Sequence, residues 1–98
     1  MRFEWDEDKN RYNFAKHRVS FERASLVFED PQALSVQDRV VEGEERWQTL
    51  GMESGTVLLV AHASRDEASG EVIRLISARK ANAHEREAYA KSQKRSRG

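Results

Sequence analysis

Arg74 lies in the middle of an apolar, β-branched segment, Glu71 to Ala78, which is typical of an interior strand. A charged group in such a strand loses hydration, and this loss must be offset by a carboxylate or by an anionic ligand. Arg79 and Lys80 follow at the end of the same segment. Because guanidinium groups on a rigid strand can bind phosphate oxygens, this segment is the first candidate for an anion-binding site.

A second cation, Arg46, begins another strand-like segment directly after Glu44 and Glu45. Two interpretations remain open from the residues alone. The arginines could form a phosphate-binding surface that needs no metal, or Glu45, Arg46 and Arg74 could form a cross-strand ladder of ion pairs. Strict alternation along the last strand predicts two sides. One side would carry Val72, Arg74, Ile76, Ala78 and Lys80, and the other Ile73, Leu75, Ser77 and Arg79.

Candidates for proton transfer are less clear. His62 lies in an apolar strand, where it could act as a general base near neutral pH or could be a structural core residue. Lys80, Glu45 and Tyr89 are the other candidates. The chain has three histidines and no cysteine, and the histidines are too scattered to suggest a zinc site. No metal and no cofactor are therefore expected.

The composition predicts a small, very polar domain. The chain has 98 residues, of which 38% are apolar and 35% charged. We expect one domain over residues 1–91 and a disordered basic tail over residues 92–98. No segment approaches the ~20 apolar residues of a membrane span, and no signal peptide is recognisable, so a cytoplasmic protein is expected.

The charges are distributed asymmetrically, although the formal net charge is zero. Residues 1–71 contain 9 Lys and Arg against 15 Asp and Glu, whereas residues 72–98 contain 8 against 2. The basic end could meet a polyanion and the acidic end a basic protein. A solvated helix and tail would give the same asymmetry.

The periodicity predicts two helices, a set of strands and a last helix. Asp6 should cap a helix that ends near Arg18, Ser20 should cap a second helix that ends before Pro31, and Asn82 should cap the last one. The expected strands are Arg2 to Trp5, Ala33 to Gln37, Arg46 to Leu50, Thr56 to Ala63 and Glu71 to Ala78. The last four should form an antiparallel meander with helices over one face, which gives an α+β fold.

Several ungapped blocks resemble the BrnT family of bacterial toxins. They are Phe3-Glu4-Trp5-Asp6-Glu7-x-Lys9-Asn10, Asn13-x-x-Lys16-His17, Val19-Ser20-Phe21-x-x-Ala24-x-x-Val27-Phe28-x-Asp30-Pro31, Glu44-Glu45-Arg46-Trp47-x-x-Leu50-Gly51, Ile73 to Ala81, and Glu85-Arg86-x-x-Tyr89. The resemblance implies a RelE-like fold of two N-terminal helices, a meander of about four to five strands and a C-terminal helix. It also implies a ribonuclease that arrests translation and a paired antitoxin, BrnA. One departure is Arg18, where the family usually has glycine after the Lys-His pair.

These observations together predict a metal-independent endoribonuclease toxin. Catalytic roles are assigned to Arg46, Arg74, Arg79, Lys80, Glu45 and His62, and RNA contacts to Arg46, Arg74, Arg79, Lys80 and Arg86. The expected partner is a BrnA-like antitoxin, two copies of each chain per complex, with DNA bound only through the antitoxin and no contact with membranes. The alternative is a non-catalytic protein-binding module that acts only as a regulator with that partner.

Overall fold

A single five-stranded sheet forms the centre of the protein. The computed structural model describes the backbone of residues 1–97 and the side chains of residues 1–92. The elements in chain order are β1 (Arg2–Glu4), α1 (Glu7–His17), α2 (Phe21–Ser25), a 3₁₀ turn (Leu26–Glu29), β2 (Leu34–Val41), β3 (Glu44–Glu53), β4 (Thr56–Glu67), β5 (Gly70–Lys80) and α3 (Ala83–Arg97). The strands lie in the order β1-β5-β4-β3-β2, with β1 parallel to β5 and the other pairs antiparallel. The predicted α+β class is confirmed.

The predicted helix caps are present. The Asp6 carboxylate accepts hydrogen bonds from the backbone N–H groups of Asp8 and Lys9, and the Ser20 hydroxyl accepts one from Arg23 N–H at 3.1 Å. At α3, Asn82 and Glu85 bond reciprocally to each other's backbone N–H at 2.8 and 2.9 Å, which completes a capping box. The helices therefore begin where the sequence predicts.

Arg18 ends α1 in the left-handed conformation (φ 60°, ψ 26°), and its N–H donates to Phe14 O at 2.8 Å. The turn is thus the one that glycine would make, and the arginine adopts it at a cost of about 1 kcal/mol. The departure from the family pattern is tolerated as strain at one residue.

Two tight hairpins extend the strands beyond their predicted ends. Glu42-Gly43 and Ser54-Gly55 form two-residue turns in which all four φ angles are positive, as in type I′ turns. The apolar pattern predicts only the parts of the strands that contact a core, whereas backbone pairing continues through polar residues to the turns. For this reason β2 reaches Val41 and β3 extends from Glu44 to Glu53.

The main core lies on one side of the sheet, called here the helical face. Side chains of Val19, Phe21, Ala24 and Val27 pack there against Leu58, Val60, Ile73, Leu75 and Ala78. The prediction that all helices cover this one face is wrong for α3. Its Tyr89 packs with Leu50, Val57 and Ala81 in a separate cluster, on the opposite side of the sheet by strand alternation. That side, called here the open face, is covered by α3 only at one end.

Two β-bulges change which side chains share a face. On β5, Ser77 is opposite Ala61 but Leu75 is opposite His62, so Ile76 is the extra residue. The predicted alternation is therefore wrong beyond Ile76. Ala78 joins Leu75 in the main core, whereas Arg79 moves to the face of Arg74. On β2 the extra residue is Asp38, between Gln37 and Arg39.

The C-terminal part of the chain extends the last helix. α3 runs to Arg97. The disordered tail predicted for residues 92–98 falls mostly on residues 93–98, which lie outside the residues with described side chains. The tail therefore stays a prediction. Within residues 1–97, no helix is both long and apolar enough to cross a membrane.

Candidate active site

A transverse row of three arginines crosses the open face. Arg39 on β2 is opposite Arg46 on β3, Arg46 is opposite Ala63 on β4, and Ala63 is opposite Arg74 on β5. Directly opposed residues project from the same side of a sheet, and the backbones of Arg46 and Arg74, two strands apart, are separated by roughly 10 Å. Because Ala63 is small, the two long side chains can converge above it.

Glu44 joins two of these arginines. Its carboxylate accepts hydrogen bonds from Arg46 Nε at 3.1 Å and from Arg74 Nη2. The predicted ion-pair ladder thus has a real counterpart, but its carboxylate is Glu44 and not Glu45, since residues 44 and 46 share a face and residue 45 does not. The hydrogen bond from Arg74 lowers the pKa of Glu44, so this carboxylate is ionised at neutral pH.

The arginine row is only partly enclosed. The side chains of Arg46, Arg74 and Glu44 are 27%, 31% and 35% exposed. Arg39 is exposed and makes no ion pair with any side chain among residues 1–92. Arg46 and Arg74 therefore share one neutralising carboxylate, Glu44, whereas Arg39 has none, and all three guanidinium groups retain N–H groups that an external anion could reach.

Arg79 and Arg86 are held by local contacts at the end of β5. Arg79 donates two hydrogen bonds to the Glu85 carboxylate, at 2.8 and 2.9 Å, and Glu85 raises the pKa of the Arg79 guanidinium. Arg86 Nη1 donates to Ala81 O at 2.8 Å. Arg79 lies on the open face, nearer to α3 than the arginine row is. Its bonds to Glu85 connect β5 to the first turn of that helix.

Three of the predicted site residues lie away from the open face. Lys80 is exposed and opposite Leu58, a residue of the main core, because the bulge at Ile76 shifts its side. Glu45 and His62 line a pocket of about 280 Å³ on the helical face. The structure therefore brings Arg46 and Arg74 together, with Arg79 on the same face, and places Lys80 and Glu45 on the other face, whereas His62 lines pockets on both sides of β4.

His62 has the contacts of a structural core residue. It is 4% exposed, its ring packs edge-on against Phe28 at 4.9 Å between centroids, and its Nε2 lies 2.7 Å from Thr49 Oγ1. Thr49 Oγ1 is in turn 2.8 Å from Ser35 Oγ. Burial lowers the pKa of His62 from 6.5 to about 4, so the ring is neutral at physiological pH.

This low pKa predicts a loss of stability in mild acid. The unfolded chain takes up the His62 proton near pH 6.5 and the folded chain near pH 4, so unfolding becomes easier as the pH falls through this window. The loss should be of the order of 2 to 3 kcal/mol. Urea unfolding at pH 7 and at pH 4.5 would measure it. His62→Gln, which cannot titrate, should be less stable at pH 7 but should show a smaller difference between the two pH values; an unchanged difference would assign the effect to other groups.

Arg39, one member of the row, and Glu44, the carboxylate that pairs with the other two, are not among the residues predicted from the sequence, although a signal for both is present. In a two-residue hairpin closed by Glu42-Gly43, residue 41 faces 44 and residue 39 faces 46, which places Arg39 beside Arg46 and Glu44 on the same face. The Glu42-Gly43 pair is typical of such a turn, so the sequence itself carries this register. The side-chain clusters hold no obvious metal site: among the described residues, no group of three His, Asp or Glu is placed to bind a metal ion.

Comparison with known proteins agrees with the resemblance seen in the sequence. A family model described as the ribonuclease toxin, BrnT, of type II toxin-antitoxin systems matches residues 5–85, which include Glu44 and all three arginines of the row. No curated protein matches the chain significantly. The family match covers most of the 98 residues. The chain therefore belongs to the BrnT family of ribonuclease toxins of type II toxin-antitoxin systems.

Proposed function

We propose that the protein is an endoribonuclease that needs no metal ion and arrests translation by cutting RNA in the cytoplasm. The observation that carries this proposal is the row of Arg39, Arg46 and Arg74 on an open sheet face, where Arg46 and Arg74 share the Glu44 carboxylate. Such a row offers fixed positive charge and several N–H donors to a phosphodiester. The membership in a ribonuclease family supplies the reaction class.

The proposed reaction is an internal transfer within the RNA. The ribose 2′-oxygen attacks the adjacent phosphorus, the bond from phosphorus to the 5′-oxygen breaks, and the products are a 2′,3′-cyclic phosphate and a 5′-hydroxyl. Negative charge builds up on the phosphoryl oxygens in the transition state, where Arg46 and Arg74 would stabilise it. Arg79, near the end of β5, and Arg86, on α3, would bind more distant parts of the RNA backbone, whereas Lys80 lies on the opposite face of the sheet.

Glu44 is the best-placed proton acceptor in this scheme. It is ionised at neutral pH and lies within hydrogen-bond distance of both guanidinium groups. A phosphate that takes over the bonds of Arg46 and Arg74 would release Glu44 beside the 2′-hydroxyl, whose proton it can accept. Glu45 and His62, the sequence-based candidates, point to the helical face, and Tyr89 OH donates to Asp30. The leaving 5′-oxygen would take its proton from water, which reaches this partly exposed face.

The partner is an antitoxin protein, as the type II family membership implies. We propose a BrnA-like antitoxin in a complex with two copies of each chain, which also provides the DNA contacts. The acidic residues of the first half offer it a surface separate from the arginine row, and attraction between opposite charges would speed the encounter. Asn10 fixes two of them by donating to both the Glu7 and the Glu22 carboxylates at 2.8 Å.

A cleavage assay with purified protein tests this function. RNA should be cut in the presence of EDTA, the fragments should end in 2′,3′-cyclic phosphate and 5′-hydroxyl, and added antitoxin should stop the reaction. Loss of cleavage in EDTA would contradict metal independence, and fragments ending in 3′-hydroxyl and 5′-phosphate would contradict the attack by the 2′-hydroxyl. A chain that binds the antitoxin but never cuts RNA would favour the non-catalytic module.

A further inference from the structure

Both β-bulges of the sheet border one pocket beside the arginine row. Asp38, the extra residue of β2, and Ile76, the extra residue of β5, line a pocket of about 200 Å³ on the open face. The other residues of its walls are Arg39, Arg46, Trp47, Ala61, His62 and Ser77. A β-bulge redirects the side chain of its extra residue, and bulges are frequent next to active sites. Two of them at one pocket direct an acidic and an apolar side chain to the edge of the proposed cleavage site.

The size and walls of this pocket fit one flat ring. Its volume is below the roughly 300 to 1,000 Å³ of sites for drug-sized ligands, so it can receive a single group of a larger molecule. Ala61 leaves space at the floor, and Ile76 provides an apolar contact. Arg39, which is exposed and has no ion-pair partner among residues 1–92, can lay its planar guanidinium group against an aromatic ring.

Beside the two arginines, which can only donate hydrogen bonds, Asp38 supplies a carboxylate acceptor to this pocket. Gln48 Nε2 donates to Asp38 Oδ2 at 3.3 Å, and the two residues also line an adjoining pocket of about 130 Å³. This bond uses one amide hydrogen and leaves the other carboxylate oxygen of Asp38 and the amide oxygen of Gln48 free to accept. A carboxylate accepts hydrogen bonds from amino groups of bases, as from the N4 amino group of cytosine. It repels a carbonyl oxygen placed at the same point.

We propose that this pocket binds a nucleobase of the RNA next to the cleaved phosphate and selects bases with an exocyclic amino group, namely adenine, cytosine or guanine, over uracil. Asp38 would accept a hydrogen bond from the amino group, and Arg39 and Ile76 would contact the ring. Arg46 would bind the adjoining phosphate, which places that phosphate at the arginine row. This inference rests on the proposed ribonuclease function, since it assigns the selectivity of the same site.

Cleavage of a randomised RNA pool, followed by sequencing of the fragment ends, tests the selectivity. Wild-type protein should disfavour uracil at one position beside the cut by about tenfold, the value expected for one hydrogen bond to a charged group. Asp38→Asn, which places a donor as well as an acceptor there, should abolish or reverse this preference while cleavage persists. Glu42→Gln makes the same charge change at the neighbouring hairpin turn, outside the pocket, and should leave the preference intact.

A binding measurement keeps the inference separate from catalysis. Chemical shifts of the Ile76 methyl groups, followed during titration with the four ribonucleoside monophosphates, should show weaker binding of UMP than of AMP, CMP and GMP, and the difference should disappear in Asp38→Asn. Equal binding of all four, or no shift at Ile76, would overturn the pocket even if RNA is cut. Selective binding by a protein that cuts no RNA would instead overturn the proposed function and retain the pocket.

Discussion

Replacing Arg74 with alanine should reduce RNA cleavage by roughly 10²- to 10³-fold, which is the usual effect of removing one fixed donor from a developing oxyanion. Arg74 lies at one end of the gap above Ala63 and, with Arg46 at the other end, would contact the phosphate that changes charge. Growth arrest on expression should be relieved in parallel. The kinetic loss should appear mainly in kcat, because the interaction strengthens in the transition state.

The same substitution should change the free energy of unfolding by less than about 1 kcal/mol, because ion pairs with substantial exposure contribute little. Arg74 and Glu44 are 31% and 35% exposed, so Glu44 would regain water and would keep its bond from Arg46 after the change. A purely structural ladder predicts the reverse: a large loss of stability without a specific loss of cleavage. Measuring both quantities on one variant separates the two interpretations.

Arg65→Ala is the matched control for this experiment. Arg65 is also a paired arginine of the sheet, bonded to Glu4 through two contacts of 2.9 Å and to Glu67 at 2.8 Å, but it lies outside the row of Arg39, Arg46 and Arg74. Its removal should leave cleavage within a few-fold of wild type. If Arg65→Ala and Arg74→Ala lost activity equally, the total positive charge of the face would matter and the arginine row would have no special role.

Local signals in the sequence predict much of this fold. Asp6, Ser20 and Asn82 each mark a helix start because short polar side chains satisfy the first backbone N–H groups. The central position of β4 follows from its apolar run. These features depend on residues that are close in sequence, where the type of side chain decides the backbone conformation.

The arrangement of the site depends on features that the apolar pattern does not report. The bulge at Ile76 leaves no mark on a continuous apolar strand, yet it moves Arg79 to the open face and Lys80 to the other side. The side on which α3 packs is set by contacts of Tyr89 with Leu50 and Val57, far away in sequence. Glu44 and Glu45 are chemically alike, and only the register of the hairpin decides which of them meets Arg74.

Asn13→Ala should have the largest effect on stability, a loss of about 2 to 4 kcal/mol, because several buried backbone groups would lose their partners. Asn13 lies on α1, is 5% exposed, and its Nδ2 donates to Val19 O and to Ala78 O, both at 2.8 Å. Its Oδ1 accepts from Ala78 N at 3.1 Å. The Asn13 amide thus pairs with both the N–H and the C=O of Ala78, the core residue that lies two positions after the bulge at Ile76.

The contrast with Asn82→Ala, measured by urea unfolding at pH 7, identifies the cause of this loss. Asn82 is an exposed helix cap, and its replacement should cost about 1 kcal/mol. If the two variants lost the same stability, water would be replacing the Asn13 amide and the buried bridge would not be essential. A larger loss for Asn13→Ala would show that the buried bridge from α1 to Ala78, next to the bulge, contributes to the stability of the fold. The bulge at Ile76 decides which side of the sheet Arg79 occupies. Asn13 on α1 would then help to set the geometry of the open face at the end of β5.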